Sequence, residues 1–237
     1  MKPLTMSNAD YHKHSALGST SLKLGLIDPW TLWNRKIFSG MEQTANMKLG
    51  SCTHEQLAIL IDPETVLEYT SNERGLGENT LPMSDLKKAK KMAHNVYVMF
   101  GHLLQDSLVE KSFFAMYKRK KNQLKVKFRP DYMNIEQRVI YDLKTIDALT
   151  DRKVEYAIRD YGYDISAAFY ILVAGLCGIK IDRFNLIFVE STGRHLTKIH
   201  QFSQKRLDDA TAKIIEILDA QIAHKNGKPF QILPTII

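Results

Sequence analysis

The chain has 237 residues, and its 33 lysines and arginines against 26 aspartates and glutamates give a formal net charge of +7, a surplus that favours a polyanionic partner. With 44% hydrophobic and 25% charged residues it has the composition of a soluble globular protein able to bury one substantial core. The two cysteines, Cys52 and Cys177, exclude a disulfide framework and a zinc spacing, the first residues lack the apolar segment of a signal peptide, and no apolar run is long enough to cross a membrane, so a reducing cytoplasm fits.

Residues 1–15 read as a polar, poorly ordered leader, residues 16–228 as a single domain and residues 229–237 as a short apolar tail. Ser19, Thr20 and Ser21 offer an N-cap to a short helix carrying Leu22, Leu24, Leu26 and Ile27, which Asp28-Pro29 halts. Trp30, Leu32, Trp33 and Phe38 follow on a second short helix, where aromatic residues at helical spacing are packing residues. Residues 40–46 read as a loop.

A helix over 47–61 carries His54, with Leu57, Ala58 and Ile61 at plus three, four and seven, so the imidazole lies on the inward face. On spacing alone such a histidine is more often a hydrogen-bonded core residue than a ligand. Residues 68–82 have few apolar side chains and two glycines, which predicts a loop. Ser84 is expected to cap a helix that presents Lys87, Lys88, Lys90 and Lys91 and continues to Val109, after which residues 110–114 open a sheet.

Lys118, Arg119, Lys120 and Lys121 mark a hairpin turn. With Lys125, Lys127 and Arg129 they make seven cations with no acid among them, a pattern expected of a phosphate-tracking surface. Leu124, Val126 and Phe128 alternate with Lys125, Lys127 and Arg129, the period of a strand with one buried and one wet face. Pro130 ends or bulges that strand at Asp131, Asn134 sits in a turn, and residues 138–145 resume an extended run. Further on, Thr150 or Asp151 caps a helix that Gly162 interrupts, and residues 163–176 form an apolar helix packed across the sheet. Residues 184–190 and 196–202 are strands joined by a turn at 191–194, with Glu190 ending the first. The last helix starts at Ser203, buries Leu207, Ala210, Ile214, Ile217, Leu218 and Ile222, and stops at Gly227.

The chemistry concentrates in 124–145. Side chains two apart in a strand share a face, so Asp142 and Lys144 point the same way and Leu143 enters the opposite layer. A lone Asp-x-Lys is usually a surface salt bridge, and Asp85-Leu86-Lys87 and Asp151-Arg152-Lys153 are two more such triplets here. Only Asp142-Leu143-Lys144 lies in a strand-like run with Pro130-Asp131 eleven positions upstream. Asp131 and Asp142 from neighbouring strands can give a hard divalent cation two oxygen ligands, with Lys144 placed to orient or deprotonate an attacking water.

Pro130-Asp131 with Asp142-x-Lys144 resembles the signature of the PD-(D/E)XK nucleases. Gly50-x-x-x-His54, Asp62-Pro63, Arg129-Pro130-Asp131 and Tyr163 to Tyr170 extend the likeness to the RecE (exonuclease VIII)-like, phage-type exonucleases, and more distantly to the RecB nuclease domain. Where that group usually carries Gln-x-x-x-Tyr, Ser166 stands at the glutamine position and Tyr170 is kept.

The resemblance implies an α/β fold with a mixed central sheet of about four or five strands flanked by helices. It implies Mg²⁺, or Mn²⁺ in its place, held by Asp131, Asp142, His54 and the Leu143 carbonyl, with Lys144 assisting in-line attack by a metal-bound water. Glu110 is a third candidate carboxylate, and Ser166 and Tyr170 are candidate supporting residues. The implied activity is 5′ to 3′ digestion of double-stranded DNA, leaving 3′ single strands for an annealing protein, by a homo-oligomeric ring in a bacterial cell or phage-infected host. Two other readings stay open: a related RecB-like nuclease of other polarity or single-strand specificity, and a non-catalytic DNA-binding module of the same fold.

Overall fold

The structure, a computed structural model, describes residues 2–34, 43–75, 77 and 79–229. Residues 40–42 of the expected loop, residues 230–237 of the tail and Phe38 lie outside these residues, whereas Ala45 and Asn46, read as loop, open a helix.

Helix α1 (Asn8–Lys13) is capped by Ser7, and α2 (Ser19–Ile27) ends at Asp28, whose carboxylate caps α3 (Pro29–Trp33). Pro29 occupies the first turn of α3, where a missing N–H leaves no bond unmade. Thr44 caps α4 (Ala45–Ile61), the helix that carries His54. The segment read as a loop contains two short strands, β1 (Thr70–Asn72) and β2 (Thr80–Pro82), paired in parallel. Helix α5 (Met83–Leu104) starts one residue before Ser84 and stops short of 109. Asp106 takes a left-handed φ of 59°, and β3 (Leu108–Val109) follows as a sheet edge.

The chain then makes a hairpin, β4 (Phe113–Arg119) and β5 (Asn122–Phe128), followed by β6 (Tyr132–Asn134), β7 (Val139–Ile146), α6 (Asp151–Asp160) and α7 (Tyr163–Leu176). Strands β8 (Arg183–Glu190) and β9 (Thr197–Gln201) and helix α8 (Gln204–Lys225) complete it. The central mixed sheet has five strands in the order β3-β6-β7-β8-β9. Strand β5 pairs with β4 in a separate two-stranded sheet, so it is not the neighbour of β7. That place belongs to β6, antiparallel to β7 with Tyr132 opposite Tyr141, in a stretch the sequence shows only as a turn. Strand β6 has three residues, too few for a two-residue alternation to declare itself.

Strands β7 and β8 are parallel and are joined through α6 and α7, as parallel neighbours require. Helices cover both faces, which explains their nearly continuous apolar runs. Ile140, Phe184, Leu186 and Phe188 pack towards α7 and α8, whereas Tyr141, Leu143, Ile187 and Val189 pack towards α4 and α5. Asp142 and Lys144 therefore belong to the α7 face. On the other face α4 approaches β7 closely at Gly50, where a Cβ would stand 3.1 Å from the Thr145 hydroxyl oxygen.

The leader is more structured than its polarity suggests. Leu4 bridges to Ser112 and Leu17 to Val126, and Tyr11 of α1 is buried. Lys127, which the alternation of β5 places on a wet face, is only 5% exposed. Its ammonium donates to the carbonyls of Tyr11 and His14 and lies 4.3 Å from the centre of the Tyr11 ring, so it is spent on holding the leader. Lys127→Ala is accordingly expected to lower stability by about 2 kcal/mol in urea unfolding, because buried carbonyls lose a charged donor.

Glu55, next to His54 on α4, is 9% exposed and accepts the backbone N–H groups of Glu68 (2.9 Å) and Tyr69 (3.1 Å). It ties the 68–72 segment to the helix. Glu55→Ala leaves two donors without their acceptor and should cost about 1–3 kcal/mol in the same measurement. Glu55→Gln, which keeps one acceptor oxygen, should cost less.

Candidate active site

Pairing of β6 with β7 brings the two carboxylates together. Asp131 immediately precedes β6, and its Oδ2 accepts the backbone N–H of Leu143 at 2.7 Å, so it lies across the strand boundary from Asp142. The Nδ1 of His54 stands 3.1 Å from the same oxygen, and the ammonium of Lys144 closes on Oδ2 of Asp142. Asp142 is only 6% exposed. Four of the residues singled out in the sequence, His54, Asp131, Asp142 and Lys144, thus meet at one end of the sheet.

Burial raises the pKa of Asp142, and the neighbouring Asp131 charge adds to the rise against the opposing pull of Lys144. For Asp131 burial also works against ionisation. The His54 imidazole, Lys144 and the Leu143 N–H outweigh it and hold the carboxyl below its usual range. Burial disfavours charge on His54, but Asp131 overcomes it and the imidazole pKa rises. For Lys144 burial opposes the ammonium and the two aspartates more than compensate, so its pKa rises as well. The environments of the two carboxyls are therefore unequal, one ionising readily and one reluctantly, as in many hydrolytic sites.

Glu110, in a left-handed conformation with φ 47°, donates its backbone N–H to the Asp131 carbonyl, and its carboxylate is paired with Arg129 at 2.5 Å. It sits beside the cluster but is committed to Arg129. That pairing turns Arg129 inward, with its guanidinium 5.9 Å from the Tyr11 ring centre, so it is not the solvent-facing cation that alternation along β5 predicts.

Helix α7 carries Tyr163, Ser166 and Tyr170 at the spacing of a single helix face. The Lys144 ammonium is 5.4 Å from the centre of the Tyr163 ring. Tyr170, half-buried, packs between Phe128 and Phe184 at 5.6 and 6.1 Å, bonds to Ser19, and lies close enough to feel the charges of both aspartates. Ser166 is half-buried between them along the helix.

Two residues of this neighbourhood escape the sequence. Tyr163 reads there as the start of a helix and of a segment carrying the family likeness, with no role in the site assigned to it. Lys23 of α2 lies 5.5 Å from the same ring, and burial together with Lys144 pushes its pKa down to about 8. It stands more than a hundred residues before the Asp-x-Lys triplet, and no local pattern could have signalled it.

The basic cluster is placed differently from expectation. Lys118, Lys120, Lys121 and Lys125 are exposed, and Arg119 is paired with Asp219 at 3.1 Å. The hairpin tip at Lys120 and Lys121 is the far end of β5 from Asp131, roughly 20 Å away at about 3.3 Å per residue. The hairpin tip therefore does not lie beside the carboxylates, whereas Arg129 reaches Glu110 next to them. Among the described residues, no group of three or more His, Cys, Asp or Glu side chains is arranged to hold a metal ion. The imidazole closes on Asp131 and the ammonium on Asp142 instead. No described helix is long and apolar enough to cross a membrane.

The fold resembles that of a protein from Eubacterium rectale described as a "Putative exonuclease", with a TM-score of 0.65 and 15% identity over 97% of this chain and 90% of that one. A looser likeness, with a TM-score of 0.41 and 10% identity over 93% and 99% of the two chains, is to a phage-related exonuclease from Haemophilus somnus. No curated protein matches in sequence. The model of the PDDEXK-like domain of unknown function (DUF3799) matches residues 40–231, a span that takes in His54, both aspartates, Lys144 and the whole five-stranded sheet, and the chain belongs to that family.

Proposed function

We propose that the protein is a metal-dependent deoxyribonuclease, an exonuclease that digests double-stranded DNA from 5′ ends and leaves 3′ single strands. The observation that carries the reading is the meeting of Asp131 and Asp142 in one buried space with His54 and Lys144 against them. The polarity, a ring of subunits and an annealing partner rest on the resemblance carried by Gly50-x-x-x-His54 and Arg129-Pro130-Asp131.

By donor type, though not in the arrangement in which His54 and Lys144 close on the two carboxylates, Asp131, Asp142 and His54 would suit Mg²⁺ or Mn²⁺, with the Leu143 carbonyl as a further oxygen. Two carboxylates of unequal ionisation in one buried space are stabilised by a cation between them. Such an ion supplies Lewis acidity towards a phosphate oxygen and the means to activate water near neutral pH. The residues themselves supply position and charge. His54 is oriented by Asp131, and the Leu143 N–H fixes the Asp131 carboxylate. Lys144, kept as an ammonium by the two aspartates, neutralises charge developing on the phosphate and orients the attacking water rather than taking its proton.

Wild-type protein with Mg²⁺ should degrade linear duplex, EDTA should stop it, and covalently closed circles should persist. Cutting of circles would remove the exonuclease assignment. Asp142→Asn and Lys144→Ala should each lower the rate by about 10²-fold or more while circular dichroism stays native. Equal digestion by wild type and Lys144→Ala would disprove the role given to the lysine.

Gly50→Val is expected to act at a distance. With a Cβ already 3.1 Å from Thr145, a branched side chain must push α4 off β7, and His54 one turn later moves with it. Activity should fall by about tenfold or more, a larger effect than the shift in melting temperature suggests.

A further inference from the structure

Lys23 has no role in the chemistry above, and its surroundings give it none in the fold. It is half-buried on α2, with its Nζ 5.5 Å from the Tyr163 ring centre. Among the described residues no carboxylate lies within 4.0 Å of it and it makes no hydrogen bond. The two carboxylates whose charges reach it are already engaged. Asp142 is paired with Lys144, and Asp164 accepts from Arg206 at 3.0 Å and from the Ile165 N–H at 2.8 Å.

A partly desolvated ammonium without a counter-charge is costly, and the cost disappears when an anion arrives. The direction of arrival is set by Tyr163, whose ring has Lys23 and Lys144 against it at 5.5 and 5.4 Å. The two ammonium groups are no farther apart than those distances laid end to end, about 11 Å, a span that neighbouring phosphates of one nucleic-acid strand can bridge. Lys144 faces the carboxylates where the bond is cut.

We propose that Lys23 is a phosphate-contacting residue that binds the backbone phosphate adjoining the cleaved one and so sets the position of the strand in the site. The proposal rests on the nuclease reading, in that the anion is taken to be part of a bound DNA strand. The lysine stem runs past Gly162 with its ammonium beside the Tyr163 ring, and α2 is held by its packing on α7 and α8. The hairpin-tip cations lie roughly 20 Å off along β5, and Arg129 is committed to Glu110.

The test is fluorescence anisotropy of a short labelled duplex, without divalent metal, over a range of salt concentrations. Lys23→Ala should bind about tenfold more weakly, and its plot of log affinity against log salt should be shallower by about one. Lys23→Arg should restore most of both. With Mg²⁺ present, the loss in Lys23→Ala should fall on KM and leave kcat largely intact. Lys23→Met, which keeps the apolar stem, covers the case in which the alanine variant does not fold. Wild-type affinity and salt slope in folded Lys23→Ala or Lys23→Met overturn the proposal while leaving the nuclease reading intact. Lysine-dependent binding by a wild type that cuts nothing supports the subsite and removes hydrolysis. A wild type that binds no DNA overturns both.

Discussion

The register of β6 on β7 is the constraint on which the site depends. Tyr132 opposite Tyr141 puts Asp131 at the boundary of one strand and Asp142 on the next, and the bond from the Leu143 N–H to Asp131 fixes the first carboxylate against the second. A slip of one residue would turn Asp142 and Lys144 into the layer that holds Leu143 and would bury two charges among the apolar side chains of α4 and α5. The continuous apolar character of β7 and β8 makes that slip expensive, because every other side chain on both strands would change layers as well. The apolar sheet thereby specifies the polar site, although none of its side chains takes part in the chemistry.

The resulting cluster is electrostatically poised rather than relaxed. Desolvation works against all four ionised forms; the neighbours outweigh it at His54, Asp131 and Lys144, and it prevails at Asp142. Such an arrangement contributes little net stability to the fold, since the desolvation cost and the mutual attraction largely offset one another. Its value is that a small change in composition, such as a cation or a phosphate, redistributes charge among groups already in place. Gly50 shows how far the fold adapts to this. A residue without a side chain lets a helix from one face of the sheet come close enough for its next turn to reach a carboxylate over the strand ends.

Much of this was legible in the residues. The three-four spacing of α8, the cap and the glycine that bound α6, and the alternation that sets Leu143 opposite Asp142 and Lys144 are local signals, and the structure follows them. The pairing of strands was not legible, because β6 has only three residues and lies in a stretch that also reads as a turn. Lys127 and Arg129 illustrate a second kind of miss. Alternation assigns them to water, but a strand in a hairpin has a second face that another segment can cover, and a polar leader covers this one. Tyr163 and Lys23 illustrate a third, for a residue brought in by tertiary packing leaves no trace in spacing.

The covering of β5 by the first residues bears on where the domain starts. Tyr11 lies between Lys127 and Arg129, its carbonyl is held by the Lys127 ammonium, and its hydroxyl influences Tyr170 beneath the aspartates. A chain shortened to residue 16, the boundary that polarity recommends, would lose one wall of the chamber and leave a buried cation facing empty space. For this protein the packed unit begins before its recognisable motifs do, and the first residues belong to the packing beside the candidate site.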